Sequence, residues 1–265
     1  ISQLSPRDRL AGNLSLYQNA MTAGQLLGPP VGAYAAAHMG YRSPFLLSFI
    51  LVGLCLLLCH IYVADIPRKE TDRDRKTPVN RGVLWGWGLS FIATINLTFL
   101  PSILPHLMAG LDLVGEQALK SAGFIMMSYT ATAIVGSYVI SRLSTRAELK
   151  GIITALCMTS AALMLVLYFA RGVASFAAIR MLQTGVIAAV IPLVMANFAS
   201  RVGGTGIGFL NSARFTGNGV GPLLATAVLA GANLFTLYLL IALLTVGAVL
   251  AFWLTGERRK TVHGS

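Results

Sequence analysis

Long apolar runs recur along the chain, separated by polar segments that are mostly short. The runs cover residues 13–37, 44–64, 83–107, 119–141, 149–170, 174–199, 205–229 and 233–254. A helix of about 20 apolar residues crosses the hydrocarbon core of a bilayer, and its backbone hydrogen bonds are satisfied within the helix itself. The pattern therefore predicts an all-α membrane protein with eight spanning helices.

The polar segment at residues 65–82 is the long exception. Its basic residues are Arg68, Lys69, Arg73, Arg75, Lys76 and Arg81. The segment is charged and lacks an apolar period, which is typical of a solvated linker. We therefore expect a cytoplasmic linker at 65–82 between two helical domains, residues 1–64 and residues 83–265.

The basic residues also predict the topology. An even number of spans places both chain ends on one side, and that side would hold fifteen Lys and Arg residues. The opposite side would hold three, Arg42, Lys120 and Arg171. Because cytoplasmic loops carry the excess of Lys and Arg, both chain ends are predicted to lie in the cytoplasm. The protein itself is predicted to lie in the inner (plasma) membrane.

Composition excludes several other classes. The chain is 55% hydrophobic and 11% charged, with a mean hydropathy of +0.73. The net charge of +11 does not indicate a nucleic-acid partner, because the basic residues lie in loops rather than on one patch. No metal-ligand cluster, phosphate-binding loop or nucleophile–base pair is present in the sequence, so neither an enzyme nor a bound cofactor or metal is predicted.

A glycine-proline motif occurs twice, as GQLLGP at residues 24–29 and as GNGVGP at residues 217–222. The constant offset of 193 residues maps the first apolar run onto the seventh, which is six helices per repeat. Internal repeats of this kind are typical of two-halved transporters. The sequence therefore predicts the last two helices of an N-terminal half followed by a six-helix C-terminal half, with four further helices expected before Ile1.

Two six-helix halves, a charged central loop and the repeated motif resemble the major facilitator superfamily. Residues 24–32 resemble the antiporter motif of its proton-coupled multidrug exporters, and residues 180–185 (RMLQTG) resemble the R-x-x-Q-G motif. Residues 136–146 are similar to the family's G-x-x-x-D-R-x-G-R loop signature. The resemblance implies a helical bundle that works by alternating access, with this chain covering the fifth to twelfth helices. It also assigns loop gating to Gly136, Arg142 and Arg146.

Polar side chains inside the spans are candidates for a substrate pathway, because they cost free energy in hydrocarbon unless they pair or line a cavity. Asn211, Arg214 and Asn218 share one helix face, at i, i+3 and i+7. The complete predicted set is Gln18, Gln25, Thr94, Asn96, Tyr129, Arg180, Gln183, Asn211, Arg214 and Asn218. Individually, such residues also form ordinary hydrogen bonds between helices, which is the alternative interpretation.

The glycine-proline motifs have two interpretations. Small residues four apart allow close helix packing, and a proline-bent helix can also act as a hinge between moving halves. The residues concerned are Gly24, Gly28, Pro29, Gly32, Gly217, Gly221 and Pro222.

The predicted function is proton-driven export of amphipathic or drug-like small molecules. The expected partners are the substrate, protons and the lipid bilayer, and the full-length protein is expected to be a monomer. No Asp or Glu lies inside any span, so a titrating carboxylate is expected only in the preceding helices. One alternative is uptake of a nutrient or organic anion, which suits Arg180 and Arg214. Another is a truncated, non-transporting membrane remnant or interaction partner.

Overall fold

The structure is a computed structural model that describes residues 13, 16, 17, 19–21, 23, 24, 31, 35, 39, 40, 42–62, 81–110, 113, 115–144, 148–199, 202 and 204–257. These residues form helices and no strand. The helices are α1 (Ser43–Tyr62), α2 (Arg81–Thr98), α3 (Leu100–Ala109), α4 (Gly115–Leu143), α5 (Leu149–Val166), α6 (Val173–Ile187), α7 (Val190–Ala199), α8 (Gly204–Gly231) and α9 (Leu234–Glu257). A short 3-10 helix, Leu167–Phe169, extends α5. The all-α prediction is confirmed for this part of the chain.

The predicted spans agree closely with the helices. Six described segments are long and apolar enough to cross a membrane: Ser43–Tyr62, Arg81–Leu104, Ser121–Leu143, Leu149–Phe169, Val173–Phe198 and Leu234–Leu254. Helix α8 is long enough at 28 residues, but its glycines and polar side chains make it less apolar than these six. The predicted span at 13–37 lies largely outside the described residues, and the positions described within it are helical.

Two predicted spans are each divided into two helices, whereas the apolar pattern predicts one continuous helix for each. The run at 83–107 breaks at Phe99, between α2 and α3, and the run at 174–199 breaks at 188–189, between α6 and α7. Proline follows each break, as Pro101 and Pro192. Because proline has no N–H, it leaves the carbonyl four residues earlier without its helical donor, and helices bend or end at such positions.

The chain divides into two compact units, residues 20–76 and residues 1–19 with 77–265. In the smaller unit, α1 is exposed on every side from Ser48 to Tyr62. A helix that is apolar all round is typical of a lipid-facing membrane span. The predicted division into domains 1–64 and 83–265 stays a prediction.

In the larger unit, α2 packs against α8, α9 and α7, while α4 packs against α6, and α5 against α9 and α6. Two apolar clusters fill the interior, one around Leu89, Ile153 and Val194 and the other around Phe99, Met164 and Leu237. On α5, α6 and α9 the polar residues lie between these two clusters. On these three helices the buried polar groups therefore lie at intermediate depth.

A buried arginine network as the candidate functional site

The break between α2 and α3 leaves a backbone carbonyl in need of a donor. Pro101 is the second residue of α3, so it cannot donate to the carbonyl of Leu97 as an ordinary helical residue would. A buried polar group without a partner costs about 1–3 kcal/mol. A donor from a neighbouring helix would remove this cost.

Arg180 on α6 supplies it. Its side chain is completely buried, and Nη2 donates to the carbonyl oxygens of Asn96 at 2.8 Å and Leu97 at 3.4 Å. The guanidinium carbon lies 4.8 Å from the ring centre of Phe99 and 5.1 Å from that of Tyr129. Carbonyl dipoles and aromatic faces both attract a positive charge. The described partners of Arg180 are thus oxygen dipoles and rings, in spans whose sequence contains no carboxylate.

Two amide side chains extend the network. Gln183 Oε1 accepts a hydrogen bond from Arg180 Nη1, while Gln183 Nε2 donates to Asn96 Oδ1 at 3.1 Å and Ser160 Oγ at 2.8 Å. Asn96 Nδ2 donates to Thr245 Oγ1 at 3.1 Å. These five residues join α2, α5, α6 and α9, and all are buried. The network is therefore enclosed in this structure rather than open to a substrate.

A glycine pair brings α4 and α6 into backbone contact beside this network. A Cβ atom built on Gly136 would overlap the carbonyl oxygen of Gly185 and would lie 2.7 Å from its Cα. Thr184 Oγ1 donates to the carbonyl oxygen of Tyr129 at 3.1 Å and lies 3.4 Å from Thr132 Oγ1. Gly136, which the family resemblance assigned to loop gating, thus lies inside α4 and allows close helix packing.

The second glycine-proline motif packs α8 against α2. A Cβ atom on Gly217 would lie 2.7 Å from Thr94 Cβ, and one on Gly221 would lie 2.5 Å from Thr98 Oγ1. The Thr98 hydroxyl also donates to the carbonyl oxygen of Gly217 at 3.3 Å. Pro222 follows inside the same helix. In the structure, Gly217 and Gly221 allow α8 to pack closely against α2. A hinge role for the motif stays a prediction.

The polar stripe of α8 is partly accessible. Arg214 is 5% exposed, whereas Asn211 and Asn218 are half-buried. Thr94 on α2 is buried against the glycine face of α8. These residues are separate from the arginine network, so the predicted pathway set falls into an enclosed group and a group along α8.

Of the remaining predicted site residues, those that the structure describes belong neither to the arginine network nor to the packing of α8 against α2. Arg142 is exposed near the end of α4, where its Nη1 donates to Tyr138 Oη at 3.1 Å. Gly24 is helical and exposed. The predicted residues outside the described part of the chain are Gln18, Gln25, Gly28, Pro29, Gly32 and Arg146.

The structure adds polar residues that are not among those predicted from the sequence. Asn19 in the first predicted span is buried, with its Nδ2 donating to the carbonyl oxygen of Ile134 at 3.1 Å and its Oδ1 accepting from Ser137 Oγ at 3.2 Å. Ser160 and Thr245 complete the arginine network. Single polar residues in apolar helices are common, so no sequence pattern distinguishes them; the repeat favoured Gln18, next to Asn19.

Among the described residues, no group of three or more His, Cys, Asp or Glu side chains is placed to hold a metal ion. The described site offers hydrogen bonding and charge, from one enclosed guanidinium and from the polar stripe of α8.

Comparison with known proteins gives two findings. The family model of the Major Facilitator Superfamily matches residues 1–146. The Multidrug resistance protein MdtG of Dickeya zeae (strain Ech586) is 23% identical over 271 residues, an alignment that covers 96% of this chain and 65% of the relative. The chain thus spans 65% of the length of that relative.

Proposed function

The chain belongs to the major facilitator superfamily, a family of multi-pass membrane transporters, and we propose that the protein exports amphipathic or drug-like small molecules in exchange for protons. The observation that carries the proposal is the similarity to a multidrug resistance protein along 96% of the chain. We place the protein in the inner membrane as a monomer with both chain ends in the cytoplasm, and its two halves alternate access to a substrate pathway.

The polar stripe of α8 is the proposed pathway surface. Asn211 and Asn218 keep part of their surface accessible, and Arg214 lies between them on the same face. Polar groups inside a membrane span usually face the bundle interior or a water-filled cavity. The low apolarity of α8 relative to the six other spanning segments supports the same assignment. Asn96, Arg180 and Gln183 are enclosed, so we assign them to positioning rather than to direct substrate contact.

A second candidate, transport of an organic anion, is favoured by one observation. Arg180 and Arg214 are the charged residues buried inside the described spans, and those spans contain no Asp or Glu. A positive potential at that depth favours an anionic ligand over a cationic one.

A dye-efflux assay tests both candidates. Cells without their own drug exporters express the complete gene product and are loaded with ethidium, a lipophilic cation, or with a fluorescein-type anion. We expect ethidium efflux that stops when a protonophore is added. Uptake of the anion without ethidium efflux would replace export by the second candidate. Transport of neither dye in either direction, at normal membrane levels, would contradict both and favour a non-transporting membrane protein.

Two arginine variants localise the pathway. Arg214→Ala should abolish efflux while leaving the amount of protein in the membrane unchanged, because the substitution removes the buried charge on the α8 stripe. Arg171→Ala is the matched control, since Arg171 is exposed in the short segment before α6. Near-normal efflux in the Arg214→Ala variant would remove Arg214 from the mechanism.

A further inference from the structure

We propose that Arg180 is a positioning residue that sets the bend between α2 and α3, by supplying the hydrogen bond that Pro101 cannot make. The α2–α3 joint is defined here as residues 96–101. The consequence of this joint for transport rests on the proposed function, whereas the joint itself does not.

The first step is the donor geometry at the joint. Nη2 of Arg180 is shared between the carbonyl oxygens of Asn96 and Leu97, at 2.8 Å and 3.4 Å. Leu97 is the residue whose helical donor would have been the N–H at position 101, which proline lacks. A guanidinium presents several N–H groups in a rigid plane, so one side chain can serve two neighbouring carbonyls and stack on a ring. The ammonium of a lysine offers a point charge without that plane.

The second step is how the guanidinium is itself held. Gln183 accepts from Nη1 one turn along α6, and Gln183 is anchored by Asn96 and Ser160. The ring of Phe99, at the break, and the ring of Tyr129, on α4, lie within 4.8 Å and 5.1 Å of the guanidinium carbon. Groups from α2, α4 and α6 thus hold the guanidinium in place. The positions of these helices therefore determine where the guanidinium can donate its hydrogen bonds to the joint.

The third step is what the bend controls. Beyond the joint, α3 buries Ile103 and Leu104 in the second apolar cluster. Helix α3 also packs directly against α8, where the hydroxyl of Ser102, which donates to the carbonyl oxygen of Phe99 at 2.8 Å, lies 3.5 Å from the carbonyl oxygen of Pro222. The direction of α3 therefore sets part of the packing of α8, the helix that carries the proposed pathway stripe.

A double-mutant cycle tests the joint. Pro101 is exposed, so Pro101→Ala restores an N–H for the Leu97 carbonyl without opening a cavity. We expect Arg180→Lys to increase the unfolding equilibrium constant in detergent by about tenfold or more, the usual effect of losing hydrogen bonds from a charged group. In the Pro101→Ala background the same substitution should have an effect at least about twofold smaller, since contacting sites couple by about 0.5 kcal/mol or more.

The matched control is Pro105→Ala, one turn further along α3, because the N–H that it restores would serve the carbonyl of Pro101 and not that of Leu97. In this background the effect of Arg180→Lys should be unchanged. Equal effects of Arg180→Lys in all three backgrounds would overturn the proposal. If Arg180→Lys alone does not give folded protein, recovery in the Pro101→Ala background supports the proposal and failure in both backgrounds overturns it.

A distance measurement separates positioning from general stability. Spin labels at the exposed residues Ala109 and Arg171 report the outer end of α3 against the start of α6. We expect Arg180→Lys to broaden or shift the distance distribution, and Pro101→Ala to restore it partly. An unchanged distribution in folded Arg180→Lys protein would overturn the proposal. If Arg180→Lys and Pro101→Ala are coupled but the protein transports no dye, the proposal for the joint is supported and the proposed function is contradicted.

Discussion

The contact between Gly136 on α4 and Gly185 on α6 leads to a prediction whose sign and size follow from the structure. A Cβ atom at position 136 would lie 2.7 Å from Gly185 Cα, whereas carbon atoms in favourable contact are about 3.5–4.0 Å apart. Both contacting groups are backbone, so Gly136→Ala must separate the helices by about 1 Å. That separation would remove the contacts of Thr184 Oγ1 with the Tyr129 carbonyl and with Thr132 Oγ1, at 3.1 Å and 3.4 Å. Both hydroxyls would keep bonds within their own helices, from Thr184 to the carbonyl of Arg180 at 2.8 Å and from Thr132 to that of Tyr129 at 2.9 Å.

Overpacking a well-packed interior costs about 1–3 kcal/mol, and the two hydroxyls, which keep their intrahelical bonds, add little to that cost. Replacing a helical glycine by alanine returns about 0.5–1 kcal/mol of backbone entropy. We therefore expect Gly136→Ala to lower the free energy of unfolding by about 1 kcal/mol. The matched control is Gly123→Ala on the same helix, where nothing lies within 4 Å of the added Cβ. This variant should be unchanged or slightly stabilised.

The assay is reversible unfolding of the purified protein by SDS in mixed micelles, followed by circular dichroism. The two variants should shift the unfolding midpoint in opposite directions, or only Gly136→Ala should lower it. Equal midpoints for Gly136→Ala and wild type, or an equal loss for both variants, would refute the backbone contact between α4 and α6.

Three further predictions concern other contacts. Gly217→Val should remove dye efflux and lower stability, because α2 occupies the space that a Cβ atom at position 217 would need. Gly219→Val is the control: nothing lies within 4 Å of its Cβ position, so this variant should retain efflux. Equal behaviour of the two variants would contradict the α2–α8 packing. Asn19→Ala and Ser137→Ala should be non-additive in unfolding free energy by about 0.6 kcal/mol, the usual size for such bonds in membranes, and strict additivity would contradict the bond. Gln183→Leu should destabilise by about 1–3 kcal/mol by leaving buried polar partners without a hydrogen bond, and a neutral effect on SDS unfolding would contradict the network.

The helices and the family were predictable from the sequence. Each apolar run from 44–64 to 233–254 coincides with a helix or a pair of helices, because twenty apolar residues can satisfy their backbone in a bilayer only as a helix. The resemblance to the major facilitator superfamily, drawn from the repeated motif and the charged linker, is confirmed by the family match.

The two helix breaks were harder to predict from the sequence, although Pro101 and Pro192 lie close to them. A proline in a membrane helix can be tolerated with a mild bend, so its presence does not predict whether the helix stops. On the proposal above, the break at Phe99 depends on an external donor, Arg180, and that residue is distant in sequence.

The division of the pathway residues was not predictable either. Helical periodicity assigns Asn96, Arg180 and Asn211 to faces of their helices, but it does not say which neighbouring helix covers each face. In the structure Asn96 and Arg180 are completely covered, while Asn211 keeps accessible surface. Such coverage depends on the packing of several helices together.

The measurement that tests the proposed function most directly is transport in everted membrane vesicles under an imposed proton gradient. With the vesicle interior acidic, the account predicts that a lipophilic cation accumulates inside and leaves again when a protonophore collapses the gradient. Accumulation that is equal with and without the gradient would contradict proton-driven export.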